Sequence, residues 1–169
     1  MERPEQNEYA DYYHQYVSRV PEGDIVEILT KQRDEMLSML SDLSPEKAVH
    51  RYEPEKWSVK EVIGHIIDTE RVFTMRALAF ARGDKTHLPA FEQDDYAAEA
   101  NYHDRDLSDI DQEFYYVRNG TIAMFLSFDD DYWQRTGVAS DFEFTTRAVA
   151  YIMAGHVIHH VAVLRERYL

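Results

Sequence analysis

The chain has 169 residues, of which 44% are hydrophobic and 13% aromatic, with 32 acidic against 18 basic residues and a net charge of −14. This length and composition predict a folded globular domain with a substantial core. The acidity opposes binding to a phosphate backbone, so we expect no nucleic-acid partner. The absence of cysteine excludes disulfides, thiolate metal ligands and cysteine nucleophiles.

The first residues, MERPEQNEYADYY, are charged and contain no apolar segment of the kind found in secretory signals. No apolar run approaches the roughly 20 residues that a membrane span needs. A chain without cysteine also suits a reducing compartment. We therefore expect a cytoplasmic protein that has no membrane partner.

Tyrosines at spacings of three and four are concentrated in residues 1–20, and this pattern predicts a short helix or a segment lying on the domain surface. We treat 1–20 as an N-terminal extension packed on a single domain that spans 1–169. Asp24 and Glu27 have the spacing of a capping box, which predicts the start of the first long helix. Ser44-Pro45 predicts its end.

Ser58 and Glu61 form the clearest capping box in the chain, and they predict a second helix that runs to about Arg82. His65 lies on the second turn of this helix. The following connection, 84–105, is long enough to have a function of its own. We expect it to reach over the bundle and help to shape a pocket.

The third helix is predicted to start near Asp106 or Ser108. Residues 136–144 look extended, and Thr145 or Thr146 can cap the last helix. Four long amphipathic helices with long inter-helix connections and no strong strand alternation predict an all-α four-helix bundle. The length of the second connection argues against assuming simple up-down-up-down order.

Histidines in the last helix indicate a metal site. His156 and His160 are four apart and so lie on one helix face, within the apolar stripe. His65 is the remaining histidine inside a predicted helix, and three imidazoles can hold a divalent ion while leaving one position open. His159 can exchange roles with His160. Asp68, one turn from His65, is a candidate acceptor for a ring N–H.

The alternative interpretation of these histidines is a set of hydrogen-bonded core residues without metal. Sharper metal motifs are absent: Val157 stands where HExxH requires glutamate, and no Glu-x-x-His pair precedes His65 or His156. Phosphate-binding and nucleophile-elbow motifs are absent as well. Gly155 has no side chain, which permits a close approach to the backbone beside His156.

Two segments, WSVKEVIGHIIDTERVF around His65 and AGHVIHHVAVLRERY at the C-terminus, resemble the DinB/YfiT-like superfamily. The segment YxxYxxxVPEGDIVEIL, Tyr13 to Leu29, is similar to the opening of that family, and the resemblance covers nearly the whole chain. It implies a four-helix bundle with up-down-down-up connectivity, often as a homodimer. It also implies a divalent metal, nickel or zinc, held by His65, His156 and His160.

Activities in that family imply a metal-dependent enzyme, either a thiol S-transferase of the bacillithiol or mycothiol kind or a metal-dependent hydrolase. A small-molecule substrate, such as a low-molecular-weight thiol, follows from this interpretation, and Arg76 or Arg147 are candidate binders of its carboxylate. No individual catalytic residue is predicted. The alternative is a non-catalytic, metal-binding homodimer, which a fourth ligand such as Glu92 or Asp94 would favour.

Overall fold

The computed structural model describes all residues, 1–169. Four long helices form the body of the protein, and the expectation of an all-α four-helix bundle is confirmed. The helices are α1 (His14–Val17), α2 (Ile25–Ser41), α3 (Pro45–Ala48), α4 (Val59–Ala81), α5 (Gln93–Glu99), α6 (Leu107–Leu126) and α7 (Thr146–Arg167). The strands are β1 (Thr136–Ala139) and β2 (Phe142–Thr145), with short 3₁₀ turns between several elements.

Helices that follow one another in the chain are not always neighbours in the bundle. α2 packs against α6 and α7, and α4 packs against the same two helices. The order around the bundle is therefore α2–α6–α4–α7, in which α2 lies diagonally across from α4.

Contacts along the helices define their directions. Lys60 near the start of α4 donates to the carbonyl of Arg105 just before α6 (2.7 Å), and Thr74 meets Thr121 later in both helices (3.1 Å). α4 and α6 are therefore parallel. Tyr168, at the end of α7, donates to a carbonyl just before α4 (2.9 Å), so these two helices are antiparallel. Lys47, shortly after α2, donates to the carbonyl of Leu169 after α7 (3.1 Å), so α2 and α7 run in the same direction. The connectivity is therefore up-down-down-up, as the family resemblance implied.

Parallel α4 and α6 require a connection that returns along the bundle. Its first part pairs with strand β1 and the turn that follows it. The N–H of Leu88 donates to the carbonyl of Val138 (2.9 Å), and the carbonyl of Leu88 accepts from the N–H of Ser140 (3.1 Å). Its last part packs on α4, where Tyr102 fills the space left by Gly64: a Cβ at Gly64 would lie 2.1 Å from the ring. The length of 84–105 is explained by this path.

Caps predicted from the sequence define three of the long helices. Ser58 and Glu61 form the reciprocal capping box of α4, with bonds of 3.3 and 2.6 Å. Thr145, rather than Thr146, caps α7. Asp24 caps α2 by accepting two backbone N–H bonds, while the reciprocal half that Glu27 would supply is not formed.

Two regions contain more regular structure than the sequence indicated. Helix α2 already ends at Ser41, before the Ser44-Pro45 pair that was predicted to end it. Ser44 instead caps the additional short helix α3, which has proline at its first position. The extended stretch is a hairpin, with Thr136 opposite Thr145. Its two-residue turn, Ser140 and Asp141, has φ values of 51° and 65°, which suit the twist of a tight hairpin.

Residues 1–20 contribute to the core instead of lying on the surface. Tyr9, Tyr16, Val17 and Val20 are buried in one hydrophobic cluster with residues of α7. At Gly155 the backbone of α1 touches α7, because a Cβ there would lie 2.1 Å from the carbonyl oxygen of Tyr16. The glycine is thus needed for the close approach of the two helices.

α7 is long and apolar enough to cross a membrane by length and composition, contrary to the expectation from its sequence. In the structure, however, 67% of its most apolar window is buried against other helices. Its apolar surface is therefore largely core surface.

A buried ion pair crosses the bundle. Arg118 of α6 donates to both carboxylate oxygens of Glu70 in α4 at 2.7–3.0 Å, and to the carbonyl of Leu29 and the amide oxygen of Gln32 in α2. Gln32 in turn donates to the carbonyl of Ala154 in α7 (2.9 Å). Arg118 is 0% exposed, and this network connects all four long helices.

We expect Gly155→Ala to destabilise the protein by about 1–3 kcal/mol, because the added methyl group overlaps the Tyr16 backbone. Gly120→Ala in α6 is the matched control, since nothing lies within 4 Å of a Cβ there. This control should stabilise by about 0.5–1 kcal/mol through helix propensity. Urea unfolding measures both free energies, and equal effects of the two changes would contradict the predicted close contact.

We expect Arg118→Met to cost about 3–5 kcal/mol, because it leaves the carboxylate of Glu70 buried without its partner. The double variant Arg118→Met/Glu70→Met should recover much of that loss, since no unpaired charge remains in the core. Both variants are measured by urea unfolding. A double variant no more stable than Arg118→Met alone would show that packing, not charge, explains the loss.

Candidate metal centre

Three histidines from two antiparallel helices converge on one point. His65 lies on the second turn of α4, and His156 and His160 lie one turn apart on α7. The Nε2 atom of His156 is 3.0 Å from the Nε2 atom of His65 and 3.0 Å from that of His160. The structure therefore brings together the three residues that the sequence selected, with ligand atoms within 4.8 Å of one another.

Local structure accounts for this convergence. The capping box at Ser58 defines where α4 starts, and hence which face presents His65 to α7. The four-residue spacing stacks the rings of His156 and His160, whose centroids are 4.4 Å apart. Gly155 allows α1 to cover the opposite side, where the ring of Tyr16 packs edge-on against His156 at 5.5 Å.

The site keeps its histidines neutral. Burial lowers the pKa of His65 to about 4 and that of His160 to about 3, and charge repulsion from neighbouring histidines acts in the same direction. The pKa of His156 is lowered well below its ordinary value, first by burial and then by His160 and His65. Each ring therefore has a nitrogen lone pair available at neutral pH, which is the form that binds metals.

The donor geometry fits a metal ion better than a hydrogen-bonded cluster. A neutral imidazole nitrogen has one in-plane lone pair or one N–H, so His156 Nε2 can make a good hydrogen bond to only one of its two close neighbours. Nitrogens bound to one ion at about 2.0–2.1 Å lie about 2.9–3.4 Å apart. The observed separations of 3.0 Å fall within that interval.

The cluster opens into a cavity of about 260 Å³. His65 and His156 form its inner end, and α1, α4, α7 and the segment before α5 form its walls. The lining residues are Tyr12, Tyr13, Tyr16, His65, Thr69, Phe73, Phe91, Glu92, Gln93, Asp94, Ile152, Met153 and His156. The expectation that the 84–105 connection shapes a pocket is met by residues 91–94.

One predicted detail of the site differs in the structure, the partner of the His65 ring. Asp68 bonds to the hydroxyl of Tyr102 (3.1 Å) and to Arg71 (3.3 Å) instead of His65. The residue one position later, Thr69, is nearest to the other ring nitrogen of His65, with its Oγ1 3.4 Å from Nδ1. Asp68 and Thr69 are three and four residues after His65. Because a helix turns about 100° per residue, their side chains lie on either side of the His65 side chain, and Thr69 is on the side that the His65 ring faces.

His160 joins the cluster, whereas His159 points away from it. The ring of His159 packs edge-on against Tyr16 at 5.5 Å and against His160 at 4.9 Å. Burial lowers its pKa, and the charge of Arg19 adds to that effect. The choice between the two histidines, open from spacing alone, is decided here by the rotation of α7 toward α4.

The two arginines that we considered as binders of a substrate carboxylate, Arg76 and Arg147, do not line the cavity. Arg147 is paired with Glu8 through two hydrogen bonds. Arg76 is buried, with its guanidinium bonded to the carbonyl of Pro89 and the hydroxyl of Ser140. Arg76 thus connects α4 to two loops, and Arg147 connects α7 to the N-terminal segment.

The tyrosines of the N-terminal segment were missed as cavity residues. Tyr12, Tyr13 and Tyr16 follow the helical spacing noted in the sequence, but that spacing does not say which surface they cover. Gly155 was the available signal, because a glycine beside a ligand histidine marks a place where another segment comes close. The segment that uses this space is α1.

Carboxylates do not close the metal site. Glu92 and Asp94 line the same cavity as the histidines, yet neither belongs to the group of converging ligand atoms. An ion held by the three histidines alone would therefore keep a coordination position without a protein ligand.

Comparisons with known proteins agree with this architecture. Residues 28–164 match the sequence model of the family described as the DinB superfamily. No curated protein sequence matches the chain. A solved structure of YfiT from Bacillus subtilis, described as "a probable metal-dependent hydrolase with an unusual four-helix bundle topology", superposes with a TM-score of 0.73 at 14% identity. The match covers 87% of this chain and 90% of YfiT.

A mycothiol-dependent maleylpyruvate isomerase is a second structural relative, with a TM-score of 0.69 at 11% identity. The match covers 86% of this chain but 61% of the isomerase. At these identities the two likenesses show a shared fold.

We expect the Glu8–Arg147 pair to make stability depend on pH. Burial alone raises the pKa of Glu8, but hydrogen bonds from Arg147 and Thr145 outweigh it and lower the pKa below its ordinary 4.5. When folding lowers the pKa of a carboxyl group, the ionised group stabilises the folded state at pH values above its pKa in the unfolded chain. This stabilisation is lost as the pH falls through its pKa in the folded state. Glu8→Gln should therefore cost stability at pH 7 and progressively less below about pH 4.5.

Urea unfolding of wild type and variant between about pH 7 and pH 3 measures this difference. Glu55→Gln, a change at an exposed glutamate, is the control and should show no such convergence. A Glu8→Gln penalty that stays constant over the whole range would contradict the predicted linkage.

Proposed function

The chain belongs to the DinB superfamily, and we propose that it is a metal-dependent enzyme that acts on a small molecule at a three-histidine centre. His65, His156 and His160 are the proposed ligands of a divalent ion, nickel or zinc. The reaction class is thiol S-transfer, with a bacillithiol-like low-molecular-weight thiol, or hydrolysis. A cytoplasmic homodimer built from single domains spanning 1–169 completes the proposal.

One observation carries this proposal. Three neutral imidazole nitrogens, two of their separations being 3.0 Å, converge at the inner end of a cavity that reaches the surface. A structural metal site has four protein ligands and is closed, whereas a catalytic site keeps one position open. The absence of a fourth protein ligand among the converging atoms favours catalysis over the non-catalytic alternative.

A divalent ion at these ligands would supply acidity to a water or thiol at its free position. The chain's own residues prepare that position. Thr69 lies beside Nδ1 of His65 and can hold the ring orientation, while Ile152 and Met153 give the cavity apolar lining. Tyr16 covers His156 from the N-terminal side.

Elemental analysis of protein purified without an affinity tag tests the ligand assignment. We expect one divalent ion per chain in the wild type. His65→Ala and His156→Ala should lower metal affinity by more than about 100-fold, because losing even an outer hydrogen-bond partner costs 10–100-fold. His159→Ala is the matched control and should keep full occupancy, since this adjacent histidine lies outside the cluster. Full occupancy in His156→Ala would refute the assignment.

Activity assays separate the two reaction classes. The metal-loaded protein is incubated with bacillithiol, mycothiol, glutathione or coenzyme A and a model electrophile, and thiol consumption is followed. Metal-dependent turnover of esters or amides without any thiol requirement would instead identify a hydrolase. Suppose instead that metal removal lowers thermal stability, and that the protein has no activity toward the thiols and electrophile or toward the esters and amides. This result would support the non-catalytic homodimer.

A further inference from the structure

We propose that the cavity in front of the three histidines binds a ligand that carries a carboxylate, and that Tyr13 and Arg76 recognise this group. Tyr13 supplies a hydrogen bond from its hydroxyl, and Arg76, buried behind the cavity wall, supplies the positive charge. The inference rests on the proposed function, because it concerns the ligand that approaches the same centre. It adds the charge of that ligand, which the three-histidine cluster does not specify.

Arg76 is a buried charge without a counter-ion. Its side chain is 2% exposed, and no carboxylate pairs with it: burial lowers the pKa of the guanidinium, and only Tyr13 acts in the opposite direction. Arg118, the other buried arginine, is paired with Glu70 at 2.7 Å. A guanidinium remains charged at physiological pH, so its burial without an anion costs free energy that an anionic ligand would offset.

The hydrogen bonds of Arg76 are also incomplete. One terminal nitrogen donates to the carbonyl of Pro89 (2.8 Å) and to the hydroxyl of Ser140 (3.2 Å). The Nε atom is buried and has no hydrogen-bond partner. An arginine that served only to join α4 to two loops would be expected to have its buried donors satisfied. The unpaired donor and the missing counter-ion together point to a partner that the chain itself does not supply.

Arg76 lies directly behind the cavity wall. Its guanidinium carbon is 5.0 Å from the ring centroid of Phe73 and 5.9 Å from that of Phe91, and both rings line the cavity. The guanidinium also makes a hydrogen-bonding contact with the hydroxyl of Tyr13, a third lining residue. A charge is screened less by protein than by water, so the positive potential of Arg76 reaches into the cavity.

Tyr13 connects this charge to the cavity. Its hydroxyl oxygen accepts from Arg76, which is its hydrogen-bond partner in the protein, so the O–H group can still donate to a ligand. Burial raises the pKa of Tyr13 by more than the charge of Arg76 lowers it, and the hydroxyl therefore stays protonated. Hydrogen bonds in series polarise one another, which makes this hydroxyl a stronger donor. A carboxylate oxygen is the matching acceptor.

Two carboxylates, Glu92 and Asp94, line the same cavity but do not cancel the charge of Arg76. Both side chains are exposed, so water and salt screen them, whereas the guanidinium is buried. They weaken the binding of an anion without determining its position. The ligand's carboxylate therefore belongs at Tyr13, and its reactive atom faces the histidines that line the same cavity.

Butyrate and butyramide test the charge preference, because they have nearly the same shape and differ in charge. Each is titrated into the metal-free protein, and the imidazole NMR signals of His65 and His156, which line the cavity, are followed. We expect butyrate to bind about tenfold more tightly than butyramide at low salt. Equal affinities, or tighter binding of butyramide, would overturn the proposal.

A tyrosine variant tests the hydrogen bond. Tyr13→Phe removes only the hydroxyl and should bring the two affinities within about threefold of each other, chiefly by weakening butyrate, since hydrogen bonds to charged groups are the stronger ones. The matched control is Tyr12→Phe, which removes a hydroxyl from the same wall that contacts Tyr16 instead of Arg76. This control should keep the preference for butyrate. An undiminished preference in Tyr13→Phe would refute the role of the hydroxyl.

Arginine variants test the charge. Arg76→Gln should abolish the preference for butyrate, whereas Arg76→Lys, which retains the charge, should keep part of it. Arg82→Gln removes the same charge from the exposed end of α4 and is the control that should leave the preference intact. Equal weakening of butyrate and butyramide by both Arg76 variants would show a purely structural role and contradict the proposal. Tyr13→Phe retains Arg76 and serves as the test if Arg76→Gln does not fold.

Measurement without metal keeps this inference separable from the proposed function. A preference for butyrate that is lost in Tyr13→Phe supports the carboxylate site even if the wild type binds no metal. Metal binding and turnover without any preference for butyrate would leave the proposed function standing and refute the carboxylate site.

Discussion

A single buried guanidinium holds the four long helices in register. Arg118 has no contact with solvent, and a charge in that position is tolerated only with its hydrogen bonds satisfied. Glu70 in α4, Leu29 and Gln32 in α2, and through Gln32 the carbonyl of Ala154 in α7, supply those bonds. Sliding any helix by a turn would break this network, so the register of the bundle depends on it.

The position of the three-histidine cluster depends on the same register. Ala154 lies two residues before His156, and Glu70 lies five residues after His65, so the polar network and the histidines belong to adjacent layers of the core. With α4 and α7 held antiparallel at this level, the imidazoles from the two helices meet. The parallel pair α4 and α6 has a further consequence, because the return connection it requires carries residues 91–94 across the cavity.

Several features were predictable because they depend on local sequence. Capping boxes act within four residues, and the Ser58–Glu61 box is present as predicted, as is a threonine cap on the last helix, supplied by Thr145 of the two candidates. Helical spacing is equally local, which is why the stacking of His156 and His160 could be inferred. Asp68 shows the limit: spacing placed it one turn from His65, but its carboxylate is engaged by Tyr102 and Arg71 from outside the helix.

The sequence by itself therefore determined the four long helices, most of their caps and the helical spacing of the histidines, because each depends on residues a few positions apart. Only the tertiary structure decided that His160 rather than His159 faces His65, since that choice depends on how α7 is rotated against α4. It also decided that Tyr12, Tyr13 and Tyr16 form a cavity wall, and that Arg147 is occupied by Glu8. Such outcomes arise from packing between segments far apart in the chain, 91 residues for His65 and His156 and 139 for Glu8 and Arg147, which no local pattern records.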